Sequence, residues 1–144
     1  MDSCAFDPKY SPENDASLRI FSLYEESAIV LNIAHSTIKE VEHPNTPSWV
    51  KKEAGAMIYT IPTSLTQKEV AQKTEILKVL TGNGKPEKME KDAEHAFEAS
   101  KYCGYFITTD ERILKKKDDL HAFCAAIIVK PSEFLEVYDA CSKA

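Results

Sequence analysis

The sequence has no long apolar run and no excess of positive charge. No apolar segment approaches the roughly 20 residues that a membrane-spanning helix needs, and residues 1–4 have neither the basic nor the apolar region of a signal peptide. Lys and Arg number 18 against 23 Asp and Glu, giving a net charge of −5, which excludes a polycationic nucleic-acid binder. We therefore expect a cytoplasmic protein that makes no contact with a membrane.

The sequence also lacks paired cysteines. Its four cysteines are scattered at positions 4, 103, 124 and 141, with no Cys-x-x-Cys pair and no histidine at zinc-finger spacing. A structural zinc site is therefore not expected. Without an export signal, reduced and partly buried thiols are favoured over two disulfides.

Short apolar runs alternate with segments of helical periodicity along the chain. Runs that are short and rich in β-branched or aromatic residues predict strands at 29–34, 57–61, 105–108 and 125–129. Helical spacing, caps and breakers predict helices at 11–27, 36–43, 47–56, 66–80, 89–103, from 111 and from 131, with an exposed loop at 85–90. This alternation favours an α/β fold, a three-layer α/β/α sandwich with a mainly parallel central sheet, as a single domain over 1–144.

Three acidic residues stand near predicted strand ends or helix starts, where parallel sheets place their ligand sites. Asp110 follows the third strand and can be a helix N-cap, a metal ligand or both. Asp92 heads a stripe of small residues on its predicted helix. A carboxylate there needs a cation, a hydrogen-bond donor or a raised pKa, or it is stabilised by the positive end of the helix dipole. Glu40 follows the first strand, although Thr37 and Glu40 also fit a capping box.

The order of the acids resembles the PIN-domain family over nearly the whole chain. Residues 2–6 (DSCAF) resemble the family's opening acidic motif, and residues 36–40 resemble the segment that supplies its second acid. Residues 92–99 resemble the third-acid helix, and residues 105–110 (YFITTD) resemble the Thr-x-Asp motif. One departure is visible, since family members usually carry a central strand before the first Asp and only Met1 precedes it here.

The resemblance implies a metal-dependent ribonuclease that cleaves single-stranded RNA. One or two Mg²⁺ or Mn²⁺ ions would be bound by four catalytic carboxylates: Asp2, Glu40, Asp92 and Asp110. Ser3 and Thr108 would orient these carboxylates through hydrogen bonds. Many family members are toxins of toxin–antitoxin pairs, so an antitoxin protein, a homodimer and structured RNA are further expected partners.

Four basic residues close to Asp110 are candidates for RNA contact: Arg112, Lys115, Lys116 and Lys117. They would bind phosphate groups, or they form an ordinary solvated surface. His35, an alternative acid–base group, is interpreted as structural. Two other functions stay open: a catalytically inactive PIN-like module that binds RNA or protein, and a receiver-like signalling domain. The receiver is disfavoured because residues 44–65 contain no Asp.

Overall fold

The computed structural model describes residues 1–33, 38–56, 58–59 and 64–143, and within these ranges the chain is mostly helical. The helices are α1 (Glu13–Glu25), α2 (Ile38–Val41), α3 (Ser48–Ala56), α4 (Gln67–Thr81), α5 (Glu90–Tyr102), α6 (Glu111–Leu114), α7 (Lys117–Leu120) and α8 (Pro131–Ser142). The strands are β1 (Asn32–Ile33), β2 (Ile58–Tyr59), β3 (Tyr105–Ile107) and β4 (Ile127–Val129). No helix in these ranges is both long and apolar enough to cross a membrane.

The described strands form two separate parallel pairs. β1 pairs with β2, with Asn32 opposite Ile58, and β3 pairs with β4, with Tyr105 opposite Ile127. The predicted three-layer sandwich with a mainly parallel central sheet is therefore wrong, because the structure is mostly helical and its strand pairing is minimal.

Within the described part of the chain, Met1 and Asp2 lie between the two pairs and bond to both. The Met1 ammonium nitrogen donates to the Asn32 carbonyl at 2.8 Å. The backbone nitrogen of Asp2 donates to the Ile107 carbonyl, also at 2.8 Å. A 3₁₀ helix (Ser3–Ala5) follows, so these residues contact both pairs without forming a strand that would join them.

The individual elements follow the predictions more closely than the sheet does. The prediction for α4 is confirmed to within one residue at each end, and Thr66 and Glu69 form the capping box that begins the helix. Among the described residues, β1, β3 and β4 are shorter than predicted, and residues 34, 57, 60 and 61 of the predicted strands lie outside the described part of the chain. The predicted 85–90 loop contains a 3₁₀ helix (Pro86–Lys88). The candidate caps Ser36 and Thr37 also lie outside the described residues.

Two hydrophobic clusters meet at the β3–β4 pair. The first contains Ile107 and Val129 together with buried residues of the N-terminal segment, α1, α3 and α8. The second contains Phe106 and Ile128 together with buried residues of α4, α5 and α7. Successive side chains of a strand point to opposite faces, so this one pair separates the two clusters and contributes to both.

The N-terminal segment is anchored in the first cluster by Phe6. The Phe6 ring is 1% exposed, and its centroid lies 5.6 Å from that of Phe21 in α1. The buried Ser17 hydroxyl donates to the carbonyl oxygens of Ala5 and Phe6. These contacts hold Asp2 beside the end of β3.

Candidate metal centre

Thr108 holds Asp2 in place at the end of β3. The Thr108 hydroxyl is fully buried and donates to Asp2 Oδ2 at 2.8 Å, and it accepts from the Asp110 backbone nitrogen at 3.1 Å. Asp2 is itself 5% exposed and also accepts from Cys4 Sγ at 3.4 Å. These are the contacts that the predicted orienting role of Thr108 requires. The side chain of Ser3 lies outside the described part of the structure.

A histidine that the sequence analysis did not select lies against Asp2. The side chain of His95 is 2% exposed, and its Nδ1 lies 3.3 Å from Asp2 Oδ1. Within the described residues, neither ring nitrogen of His95 has a partner with hydrogen-bond geometry. One ligand atom each from Asp2, Glu40 and His95 lies within 4.8 Å of the others. We call these three residues the histidine centre.

Helix α5 brings His95 to this position. Its buried face contains Ala93, His95, Ala96, Phe97 and Ala99. Residues three apart on a helix are neighbours, so the spacing Asp92-x-x-His95 was the available sequence signal. A stripe drawn from Asp92 through Ala96 and Ala99 does not include His95.

Arg112 joins the remaining two predicted ligands. Its Nη2 lies 2.7 Å from Asp110 Oδ2 and 3.3 Å from Asp92 Oδ2. Its backbone nitrogen and Nε donate to Asp110 Oδ1 at 2.9 and 3.1 Å, and the first of these bonds confirms Asp110 as the N-cap of α6. A guanidinium group thus lies between two carboxylates that were predicted to share a metal ion.

The pKa values of Asp92 and Asp2 shift in opposite directions. Burial raises the pKa of Asp92, and the repulsion from Asp110 and Asp2 adds to burial, so the attraction of Arg112 does not reverse the shift. Burial also opposes ionisation of Asp2, but its contacts with His95 and Thr108 prevail and lower its pKa. Asp2 is therefore held as a carboxylate, whereas the charge on Asp92 is disfavoured.

The neighbouring carboxylates also shift the pKa of His95. Burial disfavours the imidazolium ion, but the contact with Asp2 and the charges of Glu40 and Asp92 outweigh it and raise the pKa of His95. The four predicted carboxylates are thus electrostatically linked, either directly or through His95. Negative charge gathered in this way attracts a cation.

A nucleophilic role for Cys4 is disfavoured by the groups around its thiol. Desolvation of the thiol and the adjacent Asp2 carboxylate raise the pKa of Cys4 to about 11. At neutral pH the sulfur is therefore a protonated thiol that donates to Asp2. A covalent mechanism through Cys4 is disfavoured.

Some of the four basic residues predicted to contact RNA bond to other groups of the protein. Lys116 Nζ donates to the Leu80 carbonyl at the end of α4, at 2.8 Å. Lys117 Nζ lies 3.8 Å from a Glu133 carboxylate oxygen, and Lys115 is exposed. The assignment of these residues and Arg112 to RNA contact stays a prediction.

An open cavity of about 510 Å³ adjoins Glu40. Cys4, Phe6, Glu40, His43 and Pro47 are among the residues that line it. Its volume falls within the range of small-molecule sites, about 300–1,000 Å³. Of the four predicted acids, Glu40 is therefore next to a space that can receive part of a substrate.

Comparison of the chain with protein families, curated proteins and solved structures finds no match. His35 lies outside the described residues.

Replacing Thr108 by Val tests how far this hydroxyl supports the site. Thr108→Val removes the donor to Asp2 and leaves the Asp110 backbone N–H without its acceptor, so we expect a loss of about 1–3 kcal/mol in the free energy of unfolding. Urea denaturation measures this loss. In the control Thr109→Val, an exposed hydroxyl that donates to the Cys4 carbonyl is removed, and the expected loss is below about 1 kcal/mol. Equal losses in the two variants would contradict the role given to Thr108.

Proposed function

We propose that the protein is a metal-dependent ribonuclease that cleaves RNA phosphodiester bonds. Its site is the acidic cluster, which we define as Asp2, Glu40, Asp92 and Asp110. The observation that supports this function is their convergence: residues far apart in the sequence meet around His95 and Arg112. The same acids carry the resemblance to the PIN-domain family, from which the proposal takes its substrate class.

The donor set fits a divalent cation. Carboxylate oxygens suit Mg²⁺ and Mn²⁺, and the buried His95 nitrogens without hydrogen bonds are what a site designed for an additional ligand shows. A bound cation would supply Lewis-acid activation of water and would neutralise charge on the phosphate group. Asp2 and Glu40 would hold it on the His95 side, and Asp92 and Asp110 on the Arg112 side.

The protein's own groups then bind and orient the RNA. The Arg112 side chain is 60% exposed, so its guanidinium would contact a phosphate while its Nε and Nη2 stay bonded to Asp110. Lys115 would add a contact to a neighbouring phosphate. Thr108 would keep the Asp2 carboxylate fixed while the substrate changes charge. The cavity beside Glu40 would accept one unpaired nucleotide, which favours single-stranded RNA.

One observation favours a second function, a catalytically inactive module that binds RNA or protein. Arg112 already neutralises charge on Asp92 and Asp110, which is what a purely structural ion-pair network would show. A module of this kind would bind RNA without metal-dependent cleavage.

Cleavage of a sequence-diverse single-stranded RNA pool distinguishes the two functions. The unmodified chain, Asp110→Asn and Glu111→Gln are each incubated with Mn²⁺, Mg²⁺ or EDTA, and the products are sequenced. Asn caps helices about as well as Asp, so Asp110→Asn removes the charge while keeping the start of α6. Glu111 is the matched control, with an exposed carboxylate 3.8 Å from Lys130.

We expect the unmodified chain and Glu111→Gln to cut RNA with metal and not with EDTA. Asp110→Asn should cut no more than the EDTA reaction does. Cleavage that persists in Asp110→Asn, or that proceeds with EDTA, would refute the four-carboxylate site. RNA binding without cleavage under every condition would favour the inactive module.

A further inference from the structure

We propose that His95 is a metal ligand and that the histidine centre selects a divalent first-row transition ion over Mg²⁺. The inference rests on the proposed metal-dependent function, because it specifies which ion that site takes. Of the two ions implied by the PIN resemblance, it favours Mn²⁺, and it extends the choice to Co²⁺ and Zn²⁺.

The burial of His95 is the first observation. Buried polar side chains almost always have hydrogen-bond partners, yet neither ring nitrogen of this 2% exposed side chain has a partner with hydrogen-bond geometry within the described part of the chain. A histidine that served only to fill the core would leave Nε2 without a described partner and Nδ1 with only its ion-pair contact to Asp2. Coordination of a metal ion gives one of them a partner.

The separation of the atoms is the second observation. His95 Nδ1 and Asp2 Oδ1 lie 3.3 Å apart, but their contact lacks hydrogen-bond geometry. Two ligands of one ion at bond lengths of about 2.1 Å are about 3.0–3.4 Å apart, depending on the angle between them. The Asp2–His95 separation already lies in this range. A ligand atom of Glu40 completes the group within 4.8 Å.

The position of Asp2 is the third observation. Its Oδ2 is held by Thr108 and Cys4, and its Oδ1 faces the imidazole. Hydrogen bonds to a ligating carboxylate orient it in metal sites. Asp2 therefore has one oxygen fixed by the protein and the other directed toward His95.

The mixture of donors determines the class of ion. Mg²⁺ binds oxygen ligands and retains water, whereas imidazole nitrogen suits Fe²⁺, Ni²⁺, Cu²⁺ and Zn²⁺. Affinity for such a nitrogen–oxygen site generally rises from Mn²⁺ through Co²⁺ to Cu²⁺ and is lower again for Zn²⁺. Two carboxylates and one imidazole therefore discriminate against Mg²⁺ in a way that four carboxylates do not.

The test is direct measurement of metal binding, without RNA. The full chain is stripped of metal, and its affinities for Mg²⁺, Mn²⁺, Co²⁺ and Zn²⁺ are measured by equilibrium dialysis. His95→Asn is compared with the unmodified chain, because the Asn amide can occupy the region of Nδ1 without an imidazole. His121→Asn is the matched control, since His121 is exposed and lies at the end of α7.

We expect the unmodified chain and His121→Asn to bind Mn²⁺, Co²⁺ and Zn²⁺ more tightly than Mg²⁺. His95→Asn should lose at least about 10-fold in affinity for the three transition ions, since even partners outside the ligand shell are worth 10–100-fold. Unchanged affinity in a folded His95→Asn would overturn the inference. Equal affinity of the unmodified chain for Mg²⁺ and Zn²⁺ would also overturn it.

If His95→Asn does not fold, a second measurement tests whether an imidazole binds the metal. The Co²⁺-loaded unmodified chain and His121→Asn are compared by proton NMR in H₂O and in D₂O. A coordinated imidazole gives a strongly shifted N–H resonance that disappears in D₂O, and it should be present in both proteins. Its absence in the unmodified chain would overturn the inference.

The two proposals fail in different ways. Metal binding that depends on His95, without RNA cleavage, leaves the inference standing and removes the ribonuclease. Metal-dependent cleavage with full transition-ion affinity in His95→Asn leaves the ribonuclease standing and removes the inference.

Discussion

Asp92→Asn is expected to abolish RNA cleavage and, at the same time, to stabilise the metal-free protein. Under the proposed function Asp92 is a metal ligand, so its loss should lower the cleavage rate by more than about 100-fold, above the range for partners outside the ligand shell. The expected gain in stability has a separate cause. Burial raises the pKa of Asp92 against the attraction of Arg112, with Asp110 and Asp2 adding to the shift, so the ionised group costs free energy in the folded state.

The pH dependence gives the sign of this effect. A carboxyl whose pKa is raised on folding destabilises the protein fully above the raised pKa and not at all below its ordinary value of 3.8. The melting temperature of Asp92→Asn should therefore exceed that of the unmodified protein at neutral pH, and the difference should shrink as the pH falls toward that value. Thermal melts in EDTA across the acidic range measure the difference.

Glu94→Gln is the matched control for Asp92→Asn. Glu94 lies on the same helix, with its carboxylate 41% exposed and 3.4 Å from Lys73. Its replacement should leave cleavage unchanged and stability within about 0.5 kcal/mol, as for most surface positions. A decrease in the melting temperature of Asp92→Asn at neutral pH would show that the Arg112 ion pair outweighs the burial and repulsion that we infer.

Phe6→Ala is expected to have the largest effect on stability. Phe6 is 1% exposed and packs against Phe21, and removing a buried Phe costs about 3–5 kcal/mol in the free energy of unfolding. That is a large part of the roughly 5–15 kcal/mol by which natural domains are stable. Urea denaturation should show a lower midpoint with little change in slope.

Tyr10→Ala provides the comparison, because Tyr10 is an aromatic residue of the same segment that is 80% exposed. Its loss should change stability by no more than about 0.5 kcal/mol. If Phe6→Ala cost less than about 1 kcal/mol, the first hydrophobic cluster would not be the anchor of the N-terminal segment that the structure indicates.

The helices and the short strands could be predicted from the sequence because their signals are local. The capping residues Thr66 and Asp110 mark the starts of α4 and α6. The YFI run of β3 is apolar and is preceded by Gly104. The sheet could not be predicted, because its continuity depends on what lies between β1 and β3. In the described part of the chain, Met1 and Asp2 lie there and bond to Asn32 and Ile107 without forming a strand, and no local sequence signal predicts this.

The site was predictable in part for the same reason. Acidic residues next to a predicted strand end or helix start, such as Asp110 after β3, could be identified from the sequence. The roles of His95 and Arg112 depend on contacts that form only in the folded protein. His95 meets Asp2 from a distant part of the chain. Arg112 turns back onto the residue that caps its own helix, and a count of basic residues cannot distinguish this from a side chain that extends toward RNA.

The residues around the proposed cation lie where the two hydrophobic clusters meet at the β3–β4 pair. Asp2 belongs to the segment anchored in the first cluster, His95 belongs to the helix face of the second, and Thr108 directly follows the strand between them. A cation held by both sides would have to be released before either cluster could open. Amide hydrogen exchange in α1 and in α5 should therefore slow together as the cation concentration rises, and the protein would then behave as one cooperative unit.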